Sequence, residues 1–454
     1  MLENKDKVKE CLRNVIDLDK LFKYDESDII SLLNEVGKIA DGDYALKKAA
    51  EKGYAQVLKV LLKDKQVNPA AEYNYAIRRA SANGYVQIVE MLLKDKRVNP
   101  ADYDNAALIS AASGGHTKIV EMLLNDERVD PTLGGNYALI WAVKNYHVKV
   151  VELLLNDGRI NPAADDNYVI RWAAKQWRIE IEEIVELLLK DSRVDPVLGE
   201  NHALKWAVKN DNVKVVELLL KDEMVDPAVR DNYAIRYASE NGHVEIVELL
   251  LKDKRVNPTA EDNYALKLAS ENGHTEIVEL LLKDNRVNPA AEYNYALKCA
   301  AGNGHAKVVE MLLKDKRVDP ALGCNYALKC ASENGRAKVV ELLLKDKRVN
   351  LAADVNNALW WAVINGQAKV AETLLKDKRV DPTVDDNFMI KCAAQNGYTE
   401  IVEMLLKDKR VNPSVDGNYA IRYAKEYGHV EVVELLLKDK RVDPAAKNKP
   451  IIMQ

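Results

Sequence analysis

Histidines are the side chains of this sequence best suited to metal binding or proton transfer, and six of the seven occupy one position of a 31-residue repeat. Each follows a glycine, or the residue that replaces it, in a different repeat: His116, His147, His243, His274, His305 and His429. Because successive copies lie one or more full periods apart, we do not expect them to converge on a metal ion. No phosphate loop, Ser-His-Asp arrangement or catalytic carboxylate pair stands out. We therefore expect no enzyme, no metal and no cofactor.

Cysteine usage and overall charge exclude several further classes. The five cysteines are odd in number and lack the spacing of a zinc or redox motif: Cys11, Cys299, Cys324, Cys330 and Cys392. We expect reduced thiols in an intracellular, cytoplasmic protein. The 66 basic and 71 acidic residues nearly cancel, so the chain has no general attraction for nucleic acid or anionic membranes. No apolar run approaches the roughly 18–20 residues that a membrane span needs.

Tryptophan and lysine recur together in three consecutive repeats, the fourth to the sixth. We number positions from an anchor residue, usually Tyr; position +4 then holds Trp141, Trp172 and Trp206, and position +7 holds Lys144, Lys175 and Lys209. Neighbouring first helices should lie about 10 Å apart, so the indoles would form a ladder interleaved with positive charge. Tryptophan and arginine are favoured in binding hot spots. The alternative, left open, is that the indoles only stack on each other and fill the surface.

The same three repeats break other rules of the pattern. The glycine that ends the first helix is replaced by Tyr146, Trp177 and Asp211, and repeat five carries three extra residues within 178–183. Three residues are almost one helical turn, so the second helix of that repeat should begin a turn early. We predict a partner-binding site from these features, formed by Trp141, Lys144, Arg171, Trp172, Lys175, Trp177, Lys205, Trp206, Lys209, Arg236 and Tyr237.

Position +3 is basic in ten of the thirteen repeats, which suggests a cationic rail. The rail consists of Lys47, Arg78, Arg171, Lys205, Arg236, Lys267, Lys298, Lys329, Lys391 and Arg422. One interpretation is a binding surface for an acidic ligand or a phosphate backbone. The other is a solvated face whose charge is offset by glutamates at position +7, namely Glu240, Glu271, Glu333 and Glu426.

The elements that must position these side chains follow from one representative repeat, residues 231–258. Asn232 is an N-cap candidate for a first helix whose small residues allow close packing. Gly242 ends that helix, since glycine readily takes a positive φ. A second helix follows with an apolar stripe from Ile246 to Leu251, and Pro258 closes the unit. Thirteen such units repeat every 31 residues, apart from one interval of 34.

Residues 265–282, Ala-Leu-Lys-Leu-Ala-Ser-Glu-Asn-Gly-His-Thr-Glu-Ile-Val-Glu-Leu-Leu-Leu, resemble an ankyrin repeat, with Tyr-Ala-Leu-Lys where that family has Thr-Pro-Leu-His. The resemblance implies an all-α solenoid of thirteen helix–turn–helix repeats with shortened connecting loops. The short form is similar to ankyrin proteins of giant DNA viruses and their amoebal hosts, which would imply the host cytoplasm. We predict an N-terminal helical cap at 1–42, with Asp28–Val36 as a lone second helix and a further helix at Lys5–Ile16. Repeats would occupy 43–443, and a C-terminal tail 444–454.

The resemblance implies that the chain binds a partner protein, of unknown identity, along the inner surface of its first helices. One alternative is a substrate-receptor or adaptor subunit of a ubiquitin ligase, which requires residues 1–42 to bind an adaptor. The other is a nucleic-acid or acidic-ligand binder that uses the basic rail. The last helix keeps a full apolar stripe, so either the C-terminal tail folds back over it or the end of the array self-associates.

Overall fold

The computed structural model describes residues 26–36, 41–349 and 354–448. The chain forms two compact units, residues 1–226 and residues 227–454. Within the described ranges all regular structure is helical and follows the predicted alternation of a first and a second helix. The predicted all-α fold of helix–turn–helix repeats is confirmed, and its connecting loops carry no strand in the part of the chain described.

The first unit contains one cap helix, α1 (Glu26–Val36), and the first six repeats. The first helices of these repeats are α2 (Gly42–Lys52), α4 (Ala71–Ala82), α6 (Asp102–Ser113), α8 (Tyr137–Lys144), α10 (Ala164–Ala173) and α12 (Leu198–Lys209). The second helices are α3 (Ala55–Leu61), α5 (Val86–Lys94), α7 (Thr117–Leu124), α9 (Val148–Asn156), α11 (Ile179–Lys190) and α13 (Val213–Leu220).

The second unit contains the remaining seven repeats. Their first helices are α14 (Val229–Asn241), α16 (Ala260–Asn272), α18 (Ala291–Asn303), α20 (Leu322–Glu333), α22 (Asp354–Ile364), α24 (Val384–Gln395) and α26 (Val415–Glu426). The second helices are α15 (Val244–Lys252), α17 (Thr275–Lys283), α19 (Ala306–Lys314), α21 (Ala337–Lys345), α23 (Ala368–Leu375), α25 (Thr399–Lys407) and α27 (Val430–Leu437), followed by the 3₁₀ helix η1 (Pro444–Asn448).

The core of each unit lies between stacked helix pairs. First helices pack on the first helices of neighbouring repeats, and second helices pack on second helices. In repeat eight, Leu266 and Ala269 of α16 are buried with Ile277, Val278 and Leu281 of α17. Alanine on the first helix lets the backbones approach closely, and each large apolar side chain contributes about 1.5–3 kcal/mol by burial. Because no repeat covers its own apolar face, stability comes from the stack.

A short left-handed turn lies near the start of most first helices, inside the bounds given above. Glu261, Asp262 and Asn263 have φ of 49°, 54° and 64°, and the same three positions are left-handed in repeats two to seven, nine, twelve and thirteen. A left-handed L-residue costs roughly 1–2 kcal/mol, which Asn and Asp tolerate best. Arginines at position +3 help hold the turn, since Arg236 donates to the carbonyl of Arg230 at 2.9 Å.

The asparagine before the anchor does not cap its helix, so the predicted N-cap role is wrong. Asn263 is buried in the left-handed turn, and its Oδ1 accepts a hydrogen bond from the backbone N–H of Asn288, 25 residues later, at 2.8 Å. Asn387 accepts from Asn412 in the same way at 2.7 Å. The left-handed backbone turns the side chain away from the first helical turn and toward the next repeat. The asparagine therefore links neighbouring repeats.

Arginine provides a second link in the opposite direction, through an Asp-x-Arg-Val sequence that ends most second helices. Arg317 forms an ion pair with Asp315 at 2.7 Å and donates to the carbonyls of Val287 and Leu282 in the preceding repeat, at 2.8 and 3.2 Å. We call this arrangement the arginine clamp. Its Asp–Arg ion pair occurs in eleven repeats, at Arg97, Arg128, Arg159, Arg193, Arg255, Arg286, Arg317, Arg348, Arg379, Arg410 and Arg441.

Repeat six lacks the clamp, because Met224 stands where the arginine would be and is 61% exposed. By the spacing of the other clamps, an arginine here would reach the carbonyls of Val194 and Leu189. We expect Met224→Arg to raise the free energy of unfolding by about 1 kcal/mol, the net value of a hydrogen bond or two, measured by urea denaturation. Met224→Lys is the matched control, since it adds the charge without the guanidinium fork. Equal stabilisation by both substitutions would contradict the clamp.

The clamps also make stability depend on acid. Each of the eleven clamp aspartates has a pKa held below the ordinary carboxyl value, chiefly because its arginine donates side-chain hydrogen bonds to it. A depressed folded pKa stabilises the fold above the unfolded carboxyl pKa of about 3.9, and that contribution is lost as pH falls through the folded pKa. We therefore expect the thermal midpoint, followed by circular dichroism, to fall steeply below about pH 4. A midpoint unchanged on acidification to about pH 3 would contradict this.

At the N-terminal end, α1 packs on α3 where the sequence predicts a lone second helix. Glu26 Oε1 accepts hydrogen bonds from the backbone N–H groups of Gln56 and Val57, at 2.7 and 3.3 Å, and so caps α3. The helix predicted at Lys5–Ile16 lies outside the described residues. At the other end, η1 packs on α26 and buries Ala446. That the tail covers the apolar stripe of the last helix stays a prediction.

Candidate interaction surface on repeats four to six

The predicted tryptophans lie on the solvent-facing side of three consecutive first helices in the first unit. Trp141 of α8 is exposed, and Trp172 of α10 and Trp206 of α12 are half-buried. A lysine follows each tryptophan by three residues: Lys144 ends α8, Lys209 ends α12, and Lys175 lies just beyond the end of α10. Lys144 and Lys209 each approach the indole of their own helix. We call Trp141, Trp172, Trp206, Lys144, Lys175 and Lys209, together with the side chains that contact them, the aromatic–cationic surface.

Within this surface the indoles of Trp141 and Trp206 contact ammonium groups. Lys144 Nζ lies 5.4 Å from the Trp141 ring centroid and 5.2 Å from that of Tyr168 in the next repeat. Lys175 Nζ lies 4.1 Å from the Trp206 ring, which Lys209 also approaches at 5.2 Å. Cation–π contacts of this kind attract by about 0.5–1 kcal/mol when exposed. Among the described side chains none of these three indoles stacks on another, so the arrangement differs from simple stacking.

Two residues absent from the predicted set complete the surface. Tyr146 contacts Trp172 with ring centroids 6.1 Å apart, and the Arg178 guanidinium lies 4.5 Å from the Tyr146 ring. Both come from the segment between first and second helices, one repeat apart. The signal in the sequence is their position, because Tyr146 replaces the helix-ending glycine and Arg178 belongs to the three-residue insertion.

The insertion also creates an apolar tip beside Arg178. Trp177 is 85% exposed and Ile179 is exposed as well. Helix α11 begins at Ile179 and has 12 residues, three more than α15 or α17, so the prediction of an early start is confirmed. In repeats four and six the residues at the glycine position, Tyr146 and Asp211, keep a positive φ. In repeat five the residue after that position, Arg178, is extended, so the chain enters the second helix by a different path. Exposed large apolar side chains of this kind are typical of contact sites.

The basic rail is engaged within the protein and is not a solvated face. Lys47, Arg236 and Lys391 are only 14%, 20% and 16% exposed, and each forms an ion pair with an acid 25 residues later: Glu72, Glu261 and Asp416. The glutamates at position +7 do not provide the offset, because in the described residues none of the four predicted ones pairs with the rail. The correction has a geometric cause: +7 lies a turn further along the helix, whereas the next left-handed turn lies beside +3.

Aromatic rings contact three further lysines of the rail. In the second unit, Lys267 lies between Tyr264 and Tyr295, at 4.6 and 4.2 Å from their ring centroids. Lys298 lies between Tyr295 and Tyr326, at 4.9 and 5.2 Å. Lys329 continues the series at 4.3 Å from Trp361. Lysine and ring alternate across four repeats, so these ammonium groups stabilise the stack.

The remaining predicted site residues have internal roles or lie elsewhere. Arg171 donates to the carbonyl of Asp165 at 2.9 Å and so supports the left-handed turn of its repeat, and Lys205 is half-buried. Arg236 and Tyr237 belong to the second unit, where Arg236 pairs with Glu261 and Tyr237 contacts Tyr233 with centroids 5.6 Å apart.

The histidines hold neighbouring repeats together. His305 Nε2 lies 2.8 Å from the carbonyl oxygen of Glu271 in the preceding repeat, and its ring sits against Gly273. His116, His147, His274 and His429 make the same contact to the end of the preceding first helix. In the described part of the chain no group of three His, Cys, Asp or Glu side chains has metal-binding geometry.

The described thiols are shielded. Cys299, Cys330 and Cys392 are free, and burial raises the pKa of each, that of Cys299 to about 11. A thiol with a raised pKa is a poor nucleophile at neutral pH. No described helix has the length and apolar character to span a bilayer.

Comparison with known protein families gives a match over most of the chain. A family model described as ankyrin repeats, in three copies, matches residues 77–166, 170–262, 235–323, 297–386 and 381–448. These segments cover most of the chain, including the three tryptophans and three lysines of the aromatic–cationic surface. No curated protein matches the chain.

Proposed function

This chain belongs to the ankyrin-repeat family, and on that premise we propose that it binds a partner protein through the aromatic–cationic surface of repeats four to six. Ankyrin repeats generally mediate protein–protein interaction. The observation that carries the proposal is the coincidence, in three consecutive repeats, of outward indoles at +4 with lysines at +7, beside the exposed Trp177. The fold of a repeat depends chiefly on its buried residues. Solvent-facing aromatic side chains that recur in consecutive repeats are therefore best explained by contact with a binding partner.

The rest of the described structure supports a binding role without catalysis. Its histidines contact backbone carbonyls, its described free thiols are partly or fully buried, and its basic rail forms ion pairs within the protein. Free thiols are also typical of a reducing compartment, which supports the cytoplasm as the place of action. Self-association through the C-terminal end stays a prediction, as do the viral source and a single solenoid with boundaries at 42/43 and 443/444.

The ubiquitin-ligase alternative depends on residues 1–42, of which 1–25 and 37–40 lie outside the described residues. In the described part of that segment, α1 packs on α3 and caps it, which is a structural task. Deleting residues 1–25 would test the alternative directly, since adaptor binding should then disappear while the repeats remain folded.

Nucleic-acid binding through the rail has less support. A phosphate-binding surface needs accessible cations, and the rail side chains with ion pairs are at most 20% exposed.

The experiment that tests the proposed function compares the proteins retained from a cell lysate by the full chain and by a Trp141/Trp172/Trp206→Ala variant. A partner lost only from the variant supports the surface, and identical retention on both would contradict it. A Trp360/Trp361→Ala variant is the control.

A further inference from the structure

We infer that the segment bound by the aromatic–cationic surface is an extended acidic peptide with a carboxylate at every third residue. This inference rests on the proposed function and specifies the chemistry of its partner. Its basis is the pair Lys144 and Lys175, whose ammonium groups are held by aromatic rings and are not neutralised by a carboxylate. The expected spacing of the two lysines matches the repeat of a polyproline II peptide.

Lys144 and Lys175 differ from most basic side chains near them in what they contact. Each ammonium approaches aromatic rings, Lys144 those of Trp141 and Tyr168, and Lys175 that of Trp206. Neither forms an ion pair anywhere in the residues that the structure describes. Ring contacts orient an ammonium group yet leave its charge in place and its hydrogen-bond donors available. The surface therefore offers fixed positive charges to an incoming carboxylate.

Position +7 shows that this charge is particular to repeats four to six. Lysine occupies +7 only there, whereas Glu51, Glu240, Glu271, Glu333 and Glu426 occupy it in other repeats. The change from acid to lysine coincides with tryptophan at +4. Arg178 beside Tyr146 does not add to this charge, because it forms an ion pair with Glu180 at 3.9 Å. Charge complementarity therefore favours an acidic partner over a neutral or basic one.

The spacing of the lysines selects the backbone conformation. Equivalent residues of adjacent first helices are about 8–10 Å apart, which is the usual interaxial distance of packed helices. Polyproline II has three residues per turn and rises about 3.1 Å per residue, so every third side chain lies on one side at intervals of about 9 Å. A β-strand places alternate side chains on one side at about 7 Å and would lose register after two repeats. An extended Glu-x-x-Glu-x-x-Glu segment fits three successive repeats.

The indoles favour peptide over single-stranded nucleic acid. Stacking of bases requires an open aromatic face, but the Trp206 ring is approached by both Lys175 and Lys209, at 4.1 and 5.2 Å. What this ring can still offer is its edge, together with the adjacent ammonium groups. Prolines between the acids would supply apolar contact to Trp141 and Trp172 without adding conformational entropy cost on binding.

The test uses two fluorescently labelled peptides of one composition with the full chain. The first repeats Glu-Pro-Pro three times, and the second carries the same three glutamates in one block followed by the prolines. Anisotropy titrations should show tighter binding of the periodic peptide, by at least about threefold, with affinity falling as salt rises. Lys144→Ala/Lys175→Ala should weaken it by roughly three- to tenfold, as expected for two exposed ion pairs. Lys96→Ala/Lys316→Ala is the control, because it removes equal charge from exposed loop positions.

Each outcome decides the inference. Equal affinity for the two peptides, or equal loss in both lysine variants, overturns it. Tighter binding of oligothymidylate, abolished by Lys144→Ala/Lys175→Ala, overturns it in favour of nucleic acid. If neither peptide binds while a lysate partner is still lost with the tryptophans, the acidic segment is wrong and the proposed function stands. If the lysate partner is indifferent to the tryptophans, the proposed function itself fails.

Discussion

Replacing Trp172 with alanine should weaken partner binding by about 2 kcal/mol or more, the size of a hot-spot contribution. Trp172 is the middle indole of the three, and its ring touches Tyr146, which in turn touches Arg178. Its removal would therefore disturb the link between the first-helix side of the surface and the apolar tip at Trp177. Binding would be measured by titration of the identified partner or of the periodic acidic peptide.

The stability of the Trp172→Ala variant separates binding from packing. Trp172 is half-buried on the outer side of α10, whereas the core of its repeat is formed by Ile170 and Ala173. We expect the thermal midpoint to change little. Trp361→Ala is the matched control, since Trp361 occupies the same position of repeat eleven and holds Lys329 at 4.3 Å. Lower stability with unchanged affinity would show that Trp172 contributes to packing and not to partner binding.

Replacing Gly273 with alanine should lower the free energy of unfolding by about 3 kcal/mol. Gly273 has a φ of +78°, which costs a side-chain-bearing residue roughly 1–2 kcal/mol. A Cβ there would also lie 2.4 Å from His305 Nδ1, and overpacking of this kind costs about 1–3 kcal/mol. The histidine would have to leave the carbonyl of Glu271. Urea denaturation would measure the loss.

The chain contains controls for each part of this effect. Gly428 has a φ of +80° but nothing within 4 Å of the added Cβ, so Gly428→Ala should report the backbone cost alone. Gly158 has neither feature, and Gly158→Ala should be nearly neutral. In a His305→Ala background the cost of Gly273→Ala should fall to that of Gly428→Ala, since the clash is gone. An unchanged cost would show that the histidine does not require the glycine.

Periodicity predicted the fold well because the residues that pack are the ones that recur. The stripe of Ile277, Val278 and Leu281 predicts a helix with one buried face, and that face is buried. The extra residues of repeat five predicted the early start of α11, because three residues add nearly one turn to a helix. In both cases local chain geometry alone determines the result.

The sequence was a poorer guide to the contacts between repeats. Asn263 was expected to cap its own helix, but the partner of its side chain is the backbone of Asn288, 25 residues later. The left-handed turn that directs the side chain there was not predicted from the sequence. The rail was expected to be offset by acids on its own helix, and Arg236 instead pairs with Glu261 of the next repeat. Spacing along one helix does not reveal which side chain of a neighbour is closer. The same limit hid Tyr146 as a member of the aromatic–cationic surface.

The contacts between repeats bear on how such a chain changes over generations. The asparagine bonds to the next repeat, as Asn263 does, whereas the arginine and the histidine bond to the preceding repeat, as Arg317 and His305 do. Duplication or loss of one 31-residue segment would therefore bring the same bonding residues together at the new junction wherever both repeats carry them. Residues 68–76 and 288–296 are identical in sequence, as copying of a segment would produce. The array can thus gain or lose length by copying, whereas the tryptophan–lysine repeats stand out as the part that has diverged.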